Sequence, residues 1–129
     1  MKRVILIMFF LFSSSSIFSQ TSKNNKGLCK LEIVDVLKVT NFGYLTAYTV
    51  QFKNTTKKTI DGIWWTAYFY NNSEDLIKTI EGSFNSTNLI EPIASGFSKS
   101  LFRTPKVKGA SKVYIVVNKV HFSDGTSCN

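Results

Sequence analysis

Residues 44–71, YLTAYTVQFKNTTKKTIDGIWWTAYFYN, contain the pattern that decides the fold. Large apolar residues recur at every second position before and after a polar interruption at residues 54–58. Such alternation is typical of β-strands that bury one face. The predicted core positions are Tyr48, Val50 and Phe52 in the first strand and Ile63, Trp65, Ala67 and Phe69 in the second. The interruption is rich in Asn, Thr and Lys, which favour turns.

Short strands separated by turn signals continue on both sides of this pair. Residues 31–39 predict a first strand whose apolar positions change parity, so a bulge or a change of sheet is expected there. Residues 76–80 and 97–102 predict further strands, and residues 81–88 predict a loop or a poorly patterned edge strand. Since Pro92 has no N–H to donate to a ladder, residues 89–96 predict a crossover between sheets.

The last and longest strand is predicted over residues 113–122, where the apolar phase also changes. Val113, Ile115 and Val117 share one parity, whereas Val120 and Phe122 have the other. One extra residue near Asn118 and Lys119 would place all five on the core side, so a bulge is predicted there. The sequence after residue 20 has no helical periodicity, and the pattern predicts an all-β sandwich over residues 31–129.

The N-terminus predicts export. Lys2 and Arg3 precede an apolar run at residues 4–12, and small residues follow to Ser19. These features indicate a signal peptide over residues 1–19, cleaved before Gln20, because the run is too short for a permanent anchor. The alternative is a buried N-terminal strand. Residues 20–30 are predicted to form a flexible leader, and the sequence around Cys29 does not fit a lipid-attachment motif, so no stable membrane anchor is expected after cleavage.

Cys29 and Cys128 are the two cysteines, one near each end of the exported part. In an oxidising compartment this arrangement predicts one disulfide, and it favours a periplasmic or secreted location. Two thiols with His121 make a poor metal site, because structural zinc takes four ligands. We therefore expect no metal and no cofactor.

The chain is basic without a concentrated basic patch. Its net charge is +8, from 16 Lys and Arg against 8 Asp and Glu, and removing Lys2 and Arg3 leaves +6. The lysines are spread over strands and turns, and Arg103 is the single arginine outside the signal peptide. Nucleic acid is therefore not expected as a partner.

Four short motifs, at residues 52–54, 69–71, 90–92 and 122–126, resemble those of a known group. The order Phe-x-Asn, aromatic-aromatic-Asn, Ile-x-Pro and Phe-Ser-Asp-Gly-Thr is similar to the small immunoglobulin-like modules of bacterial exported proteins of the FxLYD type. The resemblance implies an immunoglobulin-like antiparallel β-sandwich of about seven strands and an envelope location. It brings no catalytic residue.

Catalytic arrangements are not supported by the residue spacing. His121, Ser123 and Asp124 lie within four positions of one strand end, where their side chains point in different directions and cannot form a proton relay. The acidic pairs Glu32/Asp35 and Glu74/Asp75 lack the fixed separation that acid and base catalysis requires. The sequence predicts a protein that is not an enzyme.

The second face of residues 63–70 is the candidate contact surface. It presents Trp64, Thr66, Tyr68 and Tyr70 at two-residue spacing. Aromatic rings in such a row can pack against a protein or stack on sugar rings, unless neighbouring side chains cover them. The sequence therefore favours an exported, non-enzymatic module of the cell envelope that binds a protein or has a structural role. The alternative is a carbohydrate-binding module, so the expected partner is an envelope protein or a glycan.

Overall fold

A computed structural model describes residues 24–129 as an all-β fold. The predicted signal peptide, its cleavage site and the first residues of the predicted leader lie outside the described residues. The strands are β1 (Leu31–Asn41), β2 (Tyr44–Asn54), β3 (Ile60–Tyr70), β4 (Leu76–Asn85), β5 (Ser98–Arg103), β6 (Val107–Lys108), β7 (Lys112–Phe122) and β8 (Ser127–Cys128). Residues 24–129 contain no helix, and hence no helix that could cross a membrane.

Two antiparallel sheets pack face to face. In the β2 sheet the order is β1-β2-β5, with β6 also paired to β2, and in the β3 sheet the order is β4-β3-β7-β8. The core lies between the two sheets. Every core position predicted from residues 44–71, which β2 and β3 contribute to it, is at most 3% exposed. The predicted immunoglobulin-like sandwich is confirmed. Eight strands occur in the described part of the chain, two of them only two residues long.

Both changes of parity are explained by bulges. In β1 the register shifts between Ile33 and Asp35, so Val34 is the extra residue. In β7 the register shifts opposite Trp64 and Trp65, which leaves Asn118 unpaired. A bulge turns the residues after it to the other face. The bulge predicted in β7 is confirmed, and of the bulge or change of sheet expected in β1 the bulge occurs. Val113, Ile115, Val117, Val120 and Phe122 are all buried.

Residues 76–85 form one strand at the edge of the β3 sheet, so of the two alternatives predicted for residues 81–88 the edge strand occurs, over residues 81–85. Phe84 is 4% exposed and holds the second half of β4 against the core. The predicted crossover at residues 89–96 connects β4 in one sheet with β5 in the other. Ile93 anchors this segment through two backbone hydrogen bonds with Ile60, of 2.8 and 2.9 Å.

Part of the predicted leader belongs to the fold. The Lys26 N–H donates to the Ile115 carbonyl at 2.8 Å, and the Val117 N–H donates to the Lys26 carbonyl at 2.9 Å. The Ile115 N–H donates to Asn25 Oδ1 at 2.6 Å. These contacts satisfy backbone groups along the edge of β7 that would otherwise face solvent. The leader therefore differs from the prediction at Asn25 and Lys26, which form hydrogen bonds with the β3 sheet.

Asn54 joins the 54–58 turn to the crossover segment. It is fully buried, and its amide donates to the carbonyls of Lys58 at 2.7 Å and Ile93 at 2.9 Å. Its Oδ1 accepts from the Thr56 N–H at 2.9 Å and the Thr56 hydroxyl at 2.6 Å. A buried amide that uses both donors and its acceptor fixes the turn and the crossover segment relative to each other.

Replacing Asn54 by Ala is expected to lower the free energy of unfolding by about 2 to 3 kcal/mol, because the Lys58 and Ile93 carbonyls each lose one of two donors and the Thr56 N–H loses its acceptor. Urea denaturation followed by tryptophan fluorescence measures this change. Asn85→Ala, at an exposed strand end, is the matched control and should cost under about 0.5 kcal/mol. Equal losses in the two variants would contradict this role for Asn54.

Candidate functional site

The candidate site is the solvent-facing surface of the β3 sheet, here called the outer face. It is centred on Trp64, Thr66, Tyr68 and Tyr70 of β3, which alternate with the buried core residues. β3 is paired on both sides, with β4 and β7, so its backbone is held by hydrogen bonds along both edges. The neighbours in register are Ser83, Glu81 and Thr79 on β4 and Lys119, Val116 and Tyr114 on β7.

A polar network occupies the centre of the outer face. Thr66 is only 8% exposed. Its hydroxyl donates to the Glu81 carboxylate at 3.1 Å and accepts from the Asn118 amide at 2.8 Å. Asn118 is the bulge residue of β7, and the bulge allows its side chain to reach this face. Glu81 and Asn118 are exposed, so their remaining hydrogen-bonding capacity faces solvent.

Aromatic rings flank this network. Trp64 is half-buried, and its indole lies over Gly62, where an added Cβ would be 2.7 Å from Cη2. Lys119 places its Nζ 5.1 Å from the centre of the Trp64 ring. Tyr68 and Tyr70 are also half-buried, and Tyr70 packs edge to face on Tyr114 with the ring centres 5.5 Å apart. Neighbours therefore cover Thr66 and only part of each ring.

The four residues selected from the sequence do lie on one face, and the structure adds Glu81, Asn118, Lys119 and Tyr114 to them. Glu81 lies in a stretch without alternation, and strand register cannot be read from one sequence. The change of parity in β7 predicted the bulge, but it did not show where the Asn118 side chain would point. Chemically, the surface combines aromatic stacking area with a carboxylate and an amide.

The side-chain partner of His121 is neither Ser123 nor Asp124. Its Nδ1 lies 2.6 Å from Oδ1 of Asp61 on β3. Asp61 is the residue before Gly62, which pairs with His121 in the register of β3 and β7. Asp124 instead forms an ion pair with Lys58, at 3.1 Å. His121, Ser123 and Asp124 are thus not brought together as a relay. Among residues 24–129, no group of three His, Cys, Asp or Glu side chains is arranged to hold a metal ion.

Asp124 fixes the turn between β7 and β8. Its pKa is lowered to about 2, mainly because the Thr126 hydroxyl and backbone N–H donate to the carboxylate, with help from Lys58. A carboxyl whose folded pKa lies below its unfolded value of about 3.9 stabilises the fold above that value. This stabilisation is lost as the pH falls toward 2.

We therefore expect Asp124→Asn to reduce the loss of melting temperature that occurs between about pH 4 and pH 2. Thermal melts followed by circular dichroism across that range measure the effect. Asp35→Asn, a change at another exposed aspartate, serves as the control. An acid dependence in Asp124→Asn as steep as in the wild type would contradict the assignment.

The β2 sheet also exposes apolar side chains. Leu37 and Phe102 are each 60% exposed and lie on either side of Thr49 in the register of β1, β2 and β5. The exposed large apolar residues of this surface are aliphatic or phenylalanine, whereas the outer face presents a half-buried tryptophan and two half-buried tyrosines. The β2 sheet therefore supplies matched control positions for experiments on the outer face. No protein-family model matches the chain, and no curated protein resembles it significantly.

Proposed function

We propose that this protein is an exported, non-enzymatic β-sandwich that acts through its outer face as a protein-binding or structural module of the cell envelope. The signal-peptide pattern of residues 1–19 and the Cys29–Cys128 disulfide support an exported protein. The resemblance to FxLYD modules supports the envelope location. We name no cofactor for this role.

The observation that carries the proposal is the row of partly exposed aromatic rings around a fixed polar centre. Tryptophan and tyrosine are the residues that most often dominate protein interfaces, because they combine large apolar area with a polar group. Here they stand on the central strand of a sheet, so little side-chain and backbone freedom remains to be lost on binding. Glu81 and Asn118 add exposed polar groups that can fix the orientation of a partner.

Site-specific photo-crosslinking tests the proposal. A photoreactive phenylalanine analogue replaces Tyr68 in cells that export the protein, and the same analogue replaces Leu37 on the β2 sheet as the control. We expect a discrete crosslinked protein from position 68 and none of that size from position 37. The Trp64→Ala change should remove the crosslink while the melt of the purified protein stays cooperative. Identical crosslinking from both positions would contradict an interface on the outer face.

Carbohydrate is the second candidate partner, favoured by one specific observation. Trp64 and Tyr68 lie on either side of Thr66, and the Thr66 hydroxyl contacts both Glu81 and Asn118. A ring for stacking beside a carboxylate and an amide suits a sugar, which has apolar C–H faces and equatorial hydroxyls. A glycan array separates this function from protein binding. A sugar hit that Glu81→Gln weakens and Glu91→Gln leaves unchanged would support it.

A further inference from the structure

Phe42 occupies an unusual position at the tip of the β1–β2 hairpin. It is 94% exposed, and its φ is +48°. Gly43, the other residue of this two-residue turn, has a φ of +81°. The two residues are here called the hairpin tip. Positive φ at both positions is what a type I′ hairpin requires, and Asn-Gly is the preferred sequence for it.

Neither folding nor solubility explains a phenylalanine at this position. A bulky side chain with positive φ is strained, and here the ring buries almost none of its surface in return. Asn would adopt the same turn with less strain and without an exposed ring. A strained and exposed aromatic residue therefore points to a role outside the folded chain.

The surroundings of the tip are basic. Lys106 places its Nζ 5.4 Å from the centre of the Tyr44 ring, and Lys108 pairs with Tyr44 in the β2–β6 register. The Gly109 N–H donates to the Gly43 carbonyl at 2.7 Å, which fixes the lysine-bearing segment against the tip. At the same end of the sandwich, Glu74 is paired with Lys112, and Asp75 is exposed in the turn before β4.

Further apolar side chains lie at this end of the sandwich. Ile77 comes within 3.6 Å of the place where a Cβ on Gly109 would lie. It is 39% exposed, and its neighbour Leu76 is 53% exposed. The result is a protruding aromatic residue beside two lysines, with aliphatic side chains set back from it. This combination suits the boundary between headgroups and acyl chains of a bilayer.

We propose that the hairpin tip inserts Phe42 into an anionic lipid surface, with Lys106 and Lys108 contacting the headgroups. A fluid bilayer fits better than a protein partner, because the Phe42 ring protrudes and is contacted by almost no other part of the chain. A protein would need a preformed pocket for it, whereas acyl chains rearrange around an inserted ring. The tip belongs to the β2 sheet and the outer face to the β3 sheet, so this inference does not depend on the proposed function.

Vesicle flotation tests the inference. The protein is purified, with its disulfide intact, from the cells that export it. The vesicles contain either phosphatidylcholine alone or phosphatidylcholine with one-third phosphatidylglycerol. We expect binding to the anionic vesicles and much weaker binding to the neutral ones. Phe42→Asn should lower the partition coefficient about tenfold or more, since burying a phenylalanine side chain changes an equilibrium constant by at least that factor. The variant should melt at or above the wild-type temperature, because Asn tolerates positive φ.

Leu89→Asn is the matched control. Leu89 is also 94% exposed, but it lies in the β4–β5 connection at the opposite end of the sandwich. The double variant Lys106→Gln and Lys108→Gln should bind anionic vesicles more weakly, and its binding should depend less on salt concentration. The double variant Lys30→Gln and Lys57→Gln removes the same charge elsewhere and should show neither change. The proposal is overturned if the wild type does not bind anionic vesicles, or if the Phe42→Asn variant binds them as tightly as the Leu89→Asn variant. Retention on polyglutamate beads without binding to vesicles would also overturn it, and would indicate that the partner of the tip is an acidic protein.

Discussion

Replacing Cys29 and Cys128 together by Ser is expected to lower the free energy of unfolding by about 4 to 5 kcal/mol. The disulfide joins residues separated by 99 positions, so it closes a loop that contains nearly all of the fold. In the chain-entropy treatment, a long closed loop removes the most freedom from the unfolded chain. A loss of this size is a large part of the total stability of an ordinary domain.

The folded state gives a second reason for a large effect. Cys128 pairs through its strand with Val120 on β7, and Cys29 lies two residues before Leu31, which is 1% exposed. Without the bond, β8 is held by only two residues of strand pairing, so the C-terminus is expected to detach from β7. Hydrogen exchange should then increase at residues 127–129 before it increases in β3.

Urea denaturation of the oxidised wild type and of the double variant measures the loss. Wild type treated with reductant should match the double variant, and mass spectrometry of the non-reduced wild type should find no free thiol. Ser127→Ala, next to Cys128 on an exposed strand end, controls for a local change at β8. A loss below about 1 kcal/mol would mean that strand pairing alone holds the ends of the chain, contrary to the loop-closure argument.

The sequence was sufficient to predict the two central strands and the bulge in β7, and a bulge was one of two explanations for the parity change in β1. In residues 44–71 the alternation is regular, so the buried face follows directly from side-chain parity. The bulge at Asn118 followed from the need to bury Val117 and Val120 on the same side. Both predictions depend on local pattern alone, which a single sequence contains.

Local pattern left a loop and an edge strand as alternatives for the second half of β4, and it did not predict the polar centre of the outer face. Residues 81–85, Glu-Gly-Ser-Phe-Asn, have weak strand propensity, and their pairing with β3 depends on tertiary contacts. Gly82 is opposite Trp65, and Glu81 is opposite Thr66. Each contact needs the register between two strands, which local pattern does not specify. The hydrogen bonds of Asn25 and Lys26 likewise depend on a tertiary contact, with the edge of β7.

Trp65→Ala is expected to lower the free energy of unfolding by about 3 to 5 kcal/mol. Trp65 is fully buried, and its ring centre lies 5.5 Å from that of Phe52. Its indole N–H donates to the Tyr48 hydroxyl at 3.0 Å, and the guanidinium of Arg103 lies 5.4 Å from the ring centre. Truncation would leave a cavity between the sheets and a buried hydroxyl without its partner.

Trp64→Ala is the matched control, because the two indoles are adjacent in sequence and lie on opposite faces of β3. Trp64 is half-buried, so its loss should cost less than half as much in the same urea titration. Tyr48→Phe isolates the hydrogen bond, and it should cost about 1 to 2 kcal/mol because the indole N–H would remain buried and unpaired. Equal losses for Trp64→Ala and Trp65→Ala would contradict the assignment of faces.

Gly82 gives the sharpest test of how Trp65 is accommodated. A Cβ on Gly82 would overlap the indole and lie 2.6 Å from Cζ2, so Gly82→Ala should destabilise the wild type by about 1 to 3 kcal/mol. In a Trp65→Leu background the indole is absent, and the same change should cost little because the methyl group can enter the vacated space. The double-mutant cycle should therefore show strong coupling between the two positions. If Gly82→Ala costs as much without the indole as with it, the glycine is required for the backbone of β4, and the proposed close contact with Trp65 is wrong.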